Sequence, residues 1–213
     1  MTPTQASLRA EDICRLAPIV PVLVVHDVAH AIPLAKALVA GGLYALEVTL
    51  RTPVALEAIK AMSTVEGGVV GAGTLLSPDD VARAKDAGAQ FGVSPGATDR
   101  LLDACEAQDL PTLPGASTAT EAMRLLERGY RVQKFFPAEA AGGAPFLKSL
   151  GAPLPQVQFC PTGGISAQNA PDYLRLPNVL CAGGSWVAPA NMVAAGDWDG
   201  ITRLARAASQ LAR

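Results

Sequence analysis

The sequence predicts an α/β fold, a (β/α)8 TIM barrel with an extra N-terminal helix, from three observations. Eight short apolar or β-branched runs recur along the 213 residues. Segments with helical apolar spacing lie between them. Many of these segments open on a helix-start signal and close on a glycine. Eight strand–helix units of this length sit at the short end of the barrel size range, and chemistry is then expected in the loops after the strands' C-terminal ends. An open, doubly wound sheet is the alternative, because strand number alone does not establish closure.

The elements follow in order. A helix near residues 4 to 16 precedes the first strand, "IVPVLVV" (Ile19 to Val25), and "HAIPLAKALVAGG" continues with helical spacing to a stop at Gly41. The second strand is "ALEVTL" (Ala45 to Leu50), after which Thr52-Pro53 offers an N-cap with proline at the first helical position. "VVGAGTL" (Val69 to Leu75) is the third strand; Ser77-Pro78 starts the next helix and Gly88 ends it. "FGVSPG" (Phe91 to Gly96) and "PTLPGA" (Pro111 to Ala116) are strands four and five. Thr118 and Glu121 then have capping-box spacing before "EAMRLLERG", which stops at Gly129. "VQKFFPA" (Val132 to Ala138), "VQFCPTGG" (Val157 to Gly164) and "VLCAGGSWV" (Val179 to Val187) complete the set.

No low-complexity tract or linker divides the chain, so a single domain over residues 1–213 is expected. A chain of this size buries roughly 70% of its unfolded surface, enough for a substantial core. Half the residues are hydrophobic, 17% are charged and the net charge is -2, which gives no basic surface for nucleic acid or an anionic membrane. The N-terminal stretch lacks a basic leader followed by an apolar block, and "APIVPVLVV" is too short to span a bilayer, so the chain reads as cytoplasmic. Cys14, Cys105, Cys160 and Cys181 form no CxxC pair and read as small core residues. His26 and His30 are the only histidines; they flank a strand-to-helix junction and are expected to cap or solvate it rather than bind metal. No metal site, no cofactor and no Ser-His-Asp triad is expected.

Two strands carry unusual charge. In "LEVTLR" the period-two alternation places Leu46, Val48 and Leu50 on one face and Glu47, Thr49 and Arg51 on the other. With the apolar face against the helices, a carboxylate and a guanidinium point inward, where unpaired charge is expensive. Either Glu47 and Arg51 pair with each other, or Glu47 moves protons while Arg51 binds a substrate carboxylate. In strand six the same alternation puts Lys134 and Phe136 inside and Phe135 outside. An amine held in apolar surroundings near a second cation is the kind that attacks a ketone as a nucleophile. The alternative is a lysine that snorkels from the strand end into water.

Two glycine pairs follow late strands, in "PTGGIS" and "AGGSW". Their backbone N–H groups can approach an anion closely, and barrels often bind phosphate at this end; Gly163, Gly164 and Ser185 are the candidate ligands. Tight turns that merely need glycine would look the same. "GAGTLL" lacks the third glycine of a dinucleotide fingerprint, and no GxxxxGK[ST] occurs, which excludes those nucleotide motifs. Thr74, at the end of strand three, offers a hydroxyl to a carboxylate, or simply starts a helix. "SPGAT" reads as a rim turn with Pro95 shaping one wall, and Glu139, beyond Pro137, reads as structural or rim-solvated.

The motifs "LEVTLRT", "VGAGT", "SPG", "KFFPAE", "FCPTGGIS" and "GGSW" together resemble those of the 2-keto-3-deoxy-6-phosphogluconate (KDPG) aldolases, often active on 4-hydroxy-2-oxoglutarate (KHG), over nearly the whole chain. The resemblance implies a (β/α)8 barrel, a homotrimer, and Schiff-base chemistry of the Entner-Doudoroff pathway that needs no metal. It also implies Lys134 as the Schiff-base amine and Glu47 as proton carrier, with Arg51 and Thr74 on the pyruvate carboxylate. Phe136 and Pro95 would be pocket walls, and Thr162, Gly163, Gly164 and Ser185 would lie at the distal, phosphate end. The expected partners are a phosphorylated 2-keto acid and pyruvate. The alternatives are an aldolase for the 6-phosphogalactonate epimer, a phosphosugar isomerase or epimerase, and a non-catalytic phosphosugar-binding barrel.

Overall fold

The computed structural model describes residues 1–212; the final position of the domain expected over 1–213 lies outside them. Helix α1 (Pro3–Cys14) comes first, held by a capping box in which Thr2 and Gln5 satisfy each other's backbone N–H groups. Then β1 (Ile19–Leu23), a 3-10 turn (Val28–His30), α2 (Ala31–Ala40), β2 (Ala45–Thr49), α3 (Ala55–Met62), β3 (Val69–Gly73), α4 (Pro78–Asp86) and β4 (Phe91–Val93) alternate. The second half runs α5 (Asp99–Ala107), β5 (Thr112–Leu113), β6 (Gly115–Ala116), α6 (Ala119–Arg128), β7 (Val132–Phe135), α7 (Gly143–Gly151) and β8 (Gln158–Pro161). It ends with α8 (Ala170–Leu174), β9 (Ala182–Gly184), α9 (Ala190–Ala195) and α10 (Trp198–Ser209).

The strands form a curled, parallel α/β arrangement. Six pair in the order β5-β4-β3-β2-β1-β9 and three in the order β6-β7-β8. The expected fifth strand is split at Pro114, which has no N–H to donate to a ladder. Its first half pairs with β4 and its second half with β7. Single parallel bridges, Phe159 to Val179 and Thr162 to Gly183, tie the segment around β8 to that around β9.

Alternation along each strand sorts side chains into two apolar groups. Ile19, Leu23, Leu46, Val48, Phe135 and Phe159 pack outward with the helices. Val20, Ala45, Phe91, Leu113, Val132, Cys160 and Cys181 meet on the concave face. The end of α1 packs Ile13 and Cys14 into this inner group. The Ser7 hydroxyl accepts hydrogen bonds from the Arg131 and Val132 N–H groups, which pins α1 to the start of β7. The strands' N-terminal end is thereby closed, and the polar inward positions lie toward their C-terminal ends.

Several local expectations hold. Ser77 caps α4, Thr118 and Glu121 form a capping box on α6, and Gly129 ends α6 in the left-handed conformation. All four cysteines are buried and free. Two expectations need correction. α3 starts at Ala55 without a side-chain cap, because the Thr52 hydroxyl donates instead to the Val25 carbonyl, 2.6 Å away. His30 makes no capping hydrogen bond; its ring packs edge-on against Trp198, centroids 5.7 Å apart.

Candidate active site

Lys134 is the third residue of β7, where its register partners are Gly115 on β6 and Cys160 on β8. Gly115 leaves no side chain beside it, and a Cβ there would lie 2.3 Å from the Pro95 carbonyl atoms. On β2, Glu47 aligns with Val22 of β1 and Gly71 of β3. The curl brings these distant strands together: Lys134 Nζ donates to Glu47 Oε1 at 3.3 Å. Both are nearly inaccessible, at 3% and 2%. Nζ also stands 5.2 Å from the centroid of the Phe136 ring, a cation–π arrangement.

The Glu47–Arg51 pair considered from the sequence does not form. Arg51 is exposed beyond the end of β2, and its Nε donates to Thr74 Oγ1 at 3.2 Å. Thr49, between them in the alternation, gives its hydroxyl to the Leu23 carbonyl and is fully buried. Thr74 has a φ of 63°, in the left-handed region that a β-branched residue rarely occupies. Such backbone strain clusters at functional sites. A guanidinium and a hydroxyl thus meet at the mouth, outside the buried amine–carboxylate pair.

Gly73 explains how the pair fits. A Cβ at this position would lie 2.3 Å from Glu47 Oε1 and 2.7 Å from its Cγ, so the carboxylate occupies the space a side chain would take. Below Glu47 lies a void of about 10 Å³ lined by Cys14, Phe91, Leu113 and Cys160. Nothing larger than a single water enters a space of that size. The buried pair is therefore closely enclosed on the side toward α1.

The other predicted residues lie at or just past the C-terminal ends of β4, β7, β8 and β9. Thr162 is 6% exposed and projects over Gly183, where an added Cβ would lie 2.3 Å from its Oγ1. Gly163 and Gly164 have φ values of 101° and 80°, and an added Cβ on Gly163 would stand 3.3 Å from the Phe136 ring. The Phe136–Pro137 peptide is cis. Ser185 is exposed and borders a 430 Å³ cleft that runs between the end of β1 and α9, with His26, Trp186 and Val193 among its walls. Pro95 is half-buried over Gly115. Glu139, read from the sequence as structural or rim-solvated, is exposed but accepts a hydrogen bond from the buried Tyr173 hydroxyl. Sequence reasoning missed Tyr173, because the contact joins loops 34 residues apart and leaves no local pattern.

Among the described residues, no three His, Cys, Asp or Glu side chains gather where they could hold a metal ion. Nor is any described helix long and apolar enough to cross a membrane. The buried pair and the strand ends around it supply one amine, one carboxylate, one guanidinium, three hydroxyls and the backbone of two glycine pairs. Such a set can attack a carbonyl, move a proton and hold anionic groups.

Comparison with known proteins agrees with this chemistry. The family model for KDPG and KHG aldolase matches residues 10–204. The 2-dehydro-3-deoxy-phosphogluconate aldolase of Pseudoalteromonas atlantica is 53% identical over 93% of each chain. The crystal structure of the Zymomonas mobilis 2-keto-3-deoxy-6-phosphogluconate aldolase with 3-phosphoglycerate superposes with a TM-score of 0.92 at 52% identity, covering 96% of this chain and 97% of that one. The KDPG aldolase of Legionella pneumophila, with pyruvate captured as a covalent carbinolamine, superposes with a TM-score of 0.91 at 45% identity, covering 94% of this chain and 98% of that one. A carbinolamine forms only when an amine adds to a carbonyl. Identity at this level over nearly the full length leaves one assignment: the chain belongs to the KDPG and KHG aldolase family.

Proposed function

We propose that this chain is a class I aldolase that cleaves 2-dehydro-3-deoxy-6-phospho-D-gluconate to pyruvate and D-glyceraldehyde 3-phosphate, with Lys134 as the Schiff-base amine. The observation that carries this reading is the Lys134–Glu47 pair, buried together at 3.3 Å among apolar groups. A buried ion pair is seldom worth its desolvation as a structural device, which makes a chemical use the better account. The curled sheet is read as a closed eight-stranded barrel forming one domain, with α1 as the extra helix and the site at its open end.

In this reading Lys134 gives a proton to Glu47, the freed nitrogen lone pair adds to the C2 ketone, and transfer of a proton from that nitrogen to the oxygen gives the carbinolamine. Loss of water leaves an iminium, which draws electrons from the C3–C4 bond. Glu47, one hydrogen bond from the amine, takes and returns the protons, including that of the C4 hydroxyl, by direct transfer or through a water. As C3–C4 breaks, the aldehyde leaves and an enamine remains, which is protonated at C3 and hydrolysed to pyruvate. Arg51 and Thr74 hold the carboxylate of the pyruvyl portion, with the Arg51–Thr74 hydrogen bond orienting both. Phe136 and Pro95 wall the pocket, and Thr162, Gly163, Gly164 and Ser185 receive the distal phosphate.

An isomerase or epimerase would need two acid–base groups placed on either side of a substrate carbon. Here the two candidates bond directly to each other, which favours amine catalysis. KHG cleavage to pyruvate and glyoxylate uses the same steps without the phosphate contacts. The homotrimer and cytoplasmic location implied by the resemblance complete the reading. Pyruvate release coupled to lactate dehydrogenase tests it, run on the phosphogluconate substrate, its galactonate epimer and KHG. The highest kcat/KM is expected for the phosphogluconate substrate; absence of pyruvate release from all three would overturn the proposal.

A further inference from the structure

The turn after β8 is held from behind by an unusual set of contacts. The Thr162 carbonyl accepts from the Ala138 N–H at 2.8 Å, and the Gly163 carbonyl accepts from the Glu139 N–H at 3.1 Å. The Gly164 carbonyl accepts from Asn169 Nδ2 at 3.0 Å. In a planar trans peptide the N–H points opposite to the C=O. Anchoring the first two carbonyls on the loop after β7 therefore turns the Gly163 and Gly164 N–H groups away from that loop.

The Glu139 side chain completes the clamp. A Cβ added at Gly164 would meet the Glu139 Cγ and Cβ at 2.6 and 2.8 Å, so the Glu139 methylene carbons fill the space beside the bare glycine. Its carboxylate Oε1 is held by the hydroxyl of Tyr173, which is 1% exposed on α8 within the outer core. Burial, together with the facing carboxylate, pushes the Tyr173 phenol well above its ordinary value, which keeps it a hydrogen-bond donor throughout the working pH range. The other side of the same pair is closed by Gly143, where a Cβ would lie 3.4 Å from the Tyr173 hydroxyl and 3.6 Å from Glu139 Oε1.

We infer that Glu139 and Tyr173 are positioning residues that orient the Thr162–Gly164 turn, and so set the affinity of the site for the phosphate end of its substrate. This rests on the reading of that turn as the phosphate site. Neither residue needs to touch substrate. Their effect reaches it through the backbone: Tyr173 fixes Glu139, whose N–H orients the Gly163–Gly164 peptide and whose methylenes pack on Gly164, beside the Ala138 N–H that orients the Thr162–Gly163 peptide. Loss of the clamp should therefore appear only with a phosphorylated substrate.

The test compares steady-state kinetics on phosphorylated KDPG and unphosphorylated KHG, with exchange of pyruvate methyl protons as a check on the amine end. Tyr173→Phe and Glu139→Ala should each raise KM for KDPG about tenfold, the scale of one lost charge-assisted hydrogen bond. kcat, the KM for KHG and pyruvate exchange should stay at wild-type values. Glu139→Gln keeps an acceptor oxygen and the methylenes, and should restore most of the KDPG affinity lost in Glu139→Ala. Ser185→Ala separates the two layers of the argument. If it leaves the preference for KDPG over KHG intact, together with an unchanged KDPG KM in Tyr173→Phe, the phosphate reading of this end fails and takes the inference with it. If Ser185→Ala weakens KDPG binding but Tyr173→Phe and Glu139→Ala do not, the positioning role alone is overturned. A parallel loss on KDPG, KHG and pyruvate exchange would also overturn it, by showing a general structural role.

Discussion

Replacing Gly73 by alanine is the sharpest small perturbation of the reactive pair. The new methyl carbon would stand 2.3 Å from Glu47 Oε1, 2.7 Å from Cγ and 2.9 Å from Cδ. An ordinary carbon–oxygen contact is longer by about 1 Å, so the carboxylate or strand β3 must move by roughly that much. The Lys134–Glu47 hydrogen bond is already 3.3 Å long, and a displacement of that size away from the amine takes it beyond hydrogen-bond range. Misplacement of a proton-transfer group by about 1 Å can lower turnover by about a hundredfold. Overpacking at a buried site costs about 1–3 kcal/mol of stability. The assay is exchange of pyruvate methyl protons in deuterated buffer, which reads enamine formation directly, with urea unfolding in parallel. Gly92→Ala is the control: its Cβ would lie 2.6 Å from Leu75 Cδ1, on the outer face, so it should destabilise by a similar amount and leave exchange intact. A folded Gly73→Ala variant with wild-type exchange would refute the claim that the Glu47 position matters to the chemistry.

Two further predictions concern the scaffold. Glu121 Oε2 accepts from the backbone N–H and hydroxyl groups of Ser117 and Thr118, and the Ser117 N–H is the main cause of a carboxyl held below its ordinary value of 4.5. A depressed carboxyl contributes stability above its unfolded value and loses it as pH falls through the folded one. Glu121→Gln should cost about 0.5–1 kcal/mol at neutral pH, at the low end of capping effects because the group is largely exposed, and nothing at pH well below 4.5; urea midpoints across that range measure it. The four cysteines are buried and free, so in the native protein a water-soluble aromatic disulfide reagent should label them about a hundredfold more slowly than in denaturant, or slower still. Immediate labelling of Cys14, Cys160 or Cys181 in the native state would contradict the packed inner layer, and of Cys105 the packing beneath the helices.

Much of this arrangement is legible from local patterns. Period-two alternation places Glu47 and Lys134 inward because strand geometry leaves no other choice, and capping chemistry at Ser77 and Thr118 needs only neighbours in sequence. What local pattern cannot supply is the partner across the sheet. Glu47 meets Lys134 rather than Arg51 because curl brings β2 and β7 within reach, a property of the whole sheet. The strands are also shorter than the runs that contain them. The runs Ile19 to Val25 and Val69 to Leu75 continue two residues beyond the strands, which stop at Leu23 and Gly73. The surplus residues form the rim, where Thr74 adopts its left-handed conformation. Pro114 splits the fifth strand while each half keeps a neighbour, so the proline reads as a strand break only once both pairings are seen. The Tyr173–Glu139 contact depends on how α8 docks against the loop after β7, and nothing in either segment's composition announces it.

In the proposed mechanism Lys134 is the amine that bonds to pyruvate. Reduction with borohydride in the presence of pyruvate, followed by peptide mapping, tests it most directly. A stable adduct is expected on the peptide containing Lys134, with none in Lys134→Ala and none without pyruvate. An adduct on a different lysine, or full cleavage activity in Lys134→Ala, would contradict it.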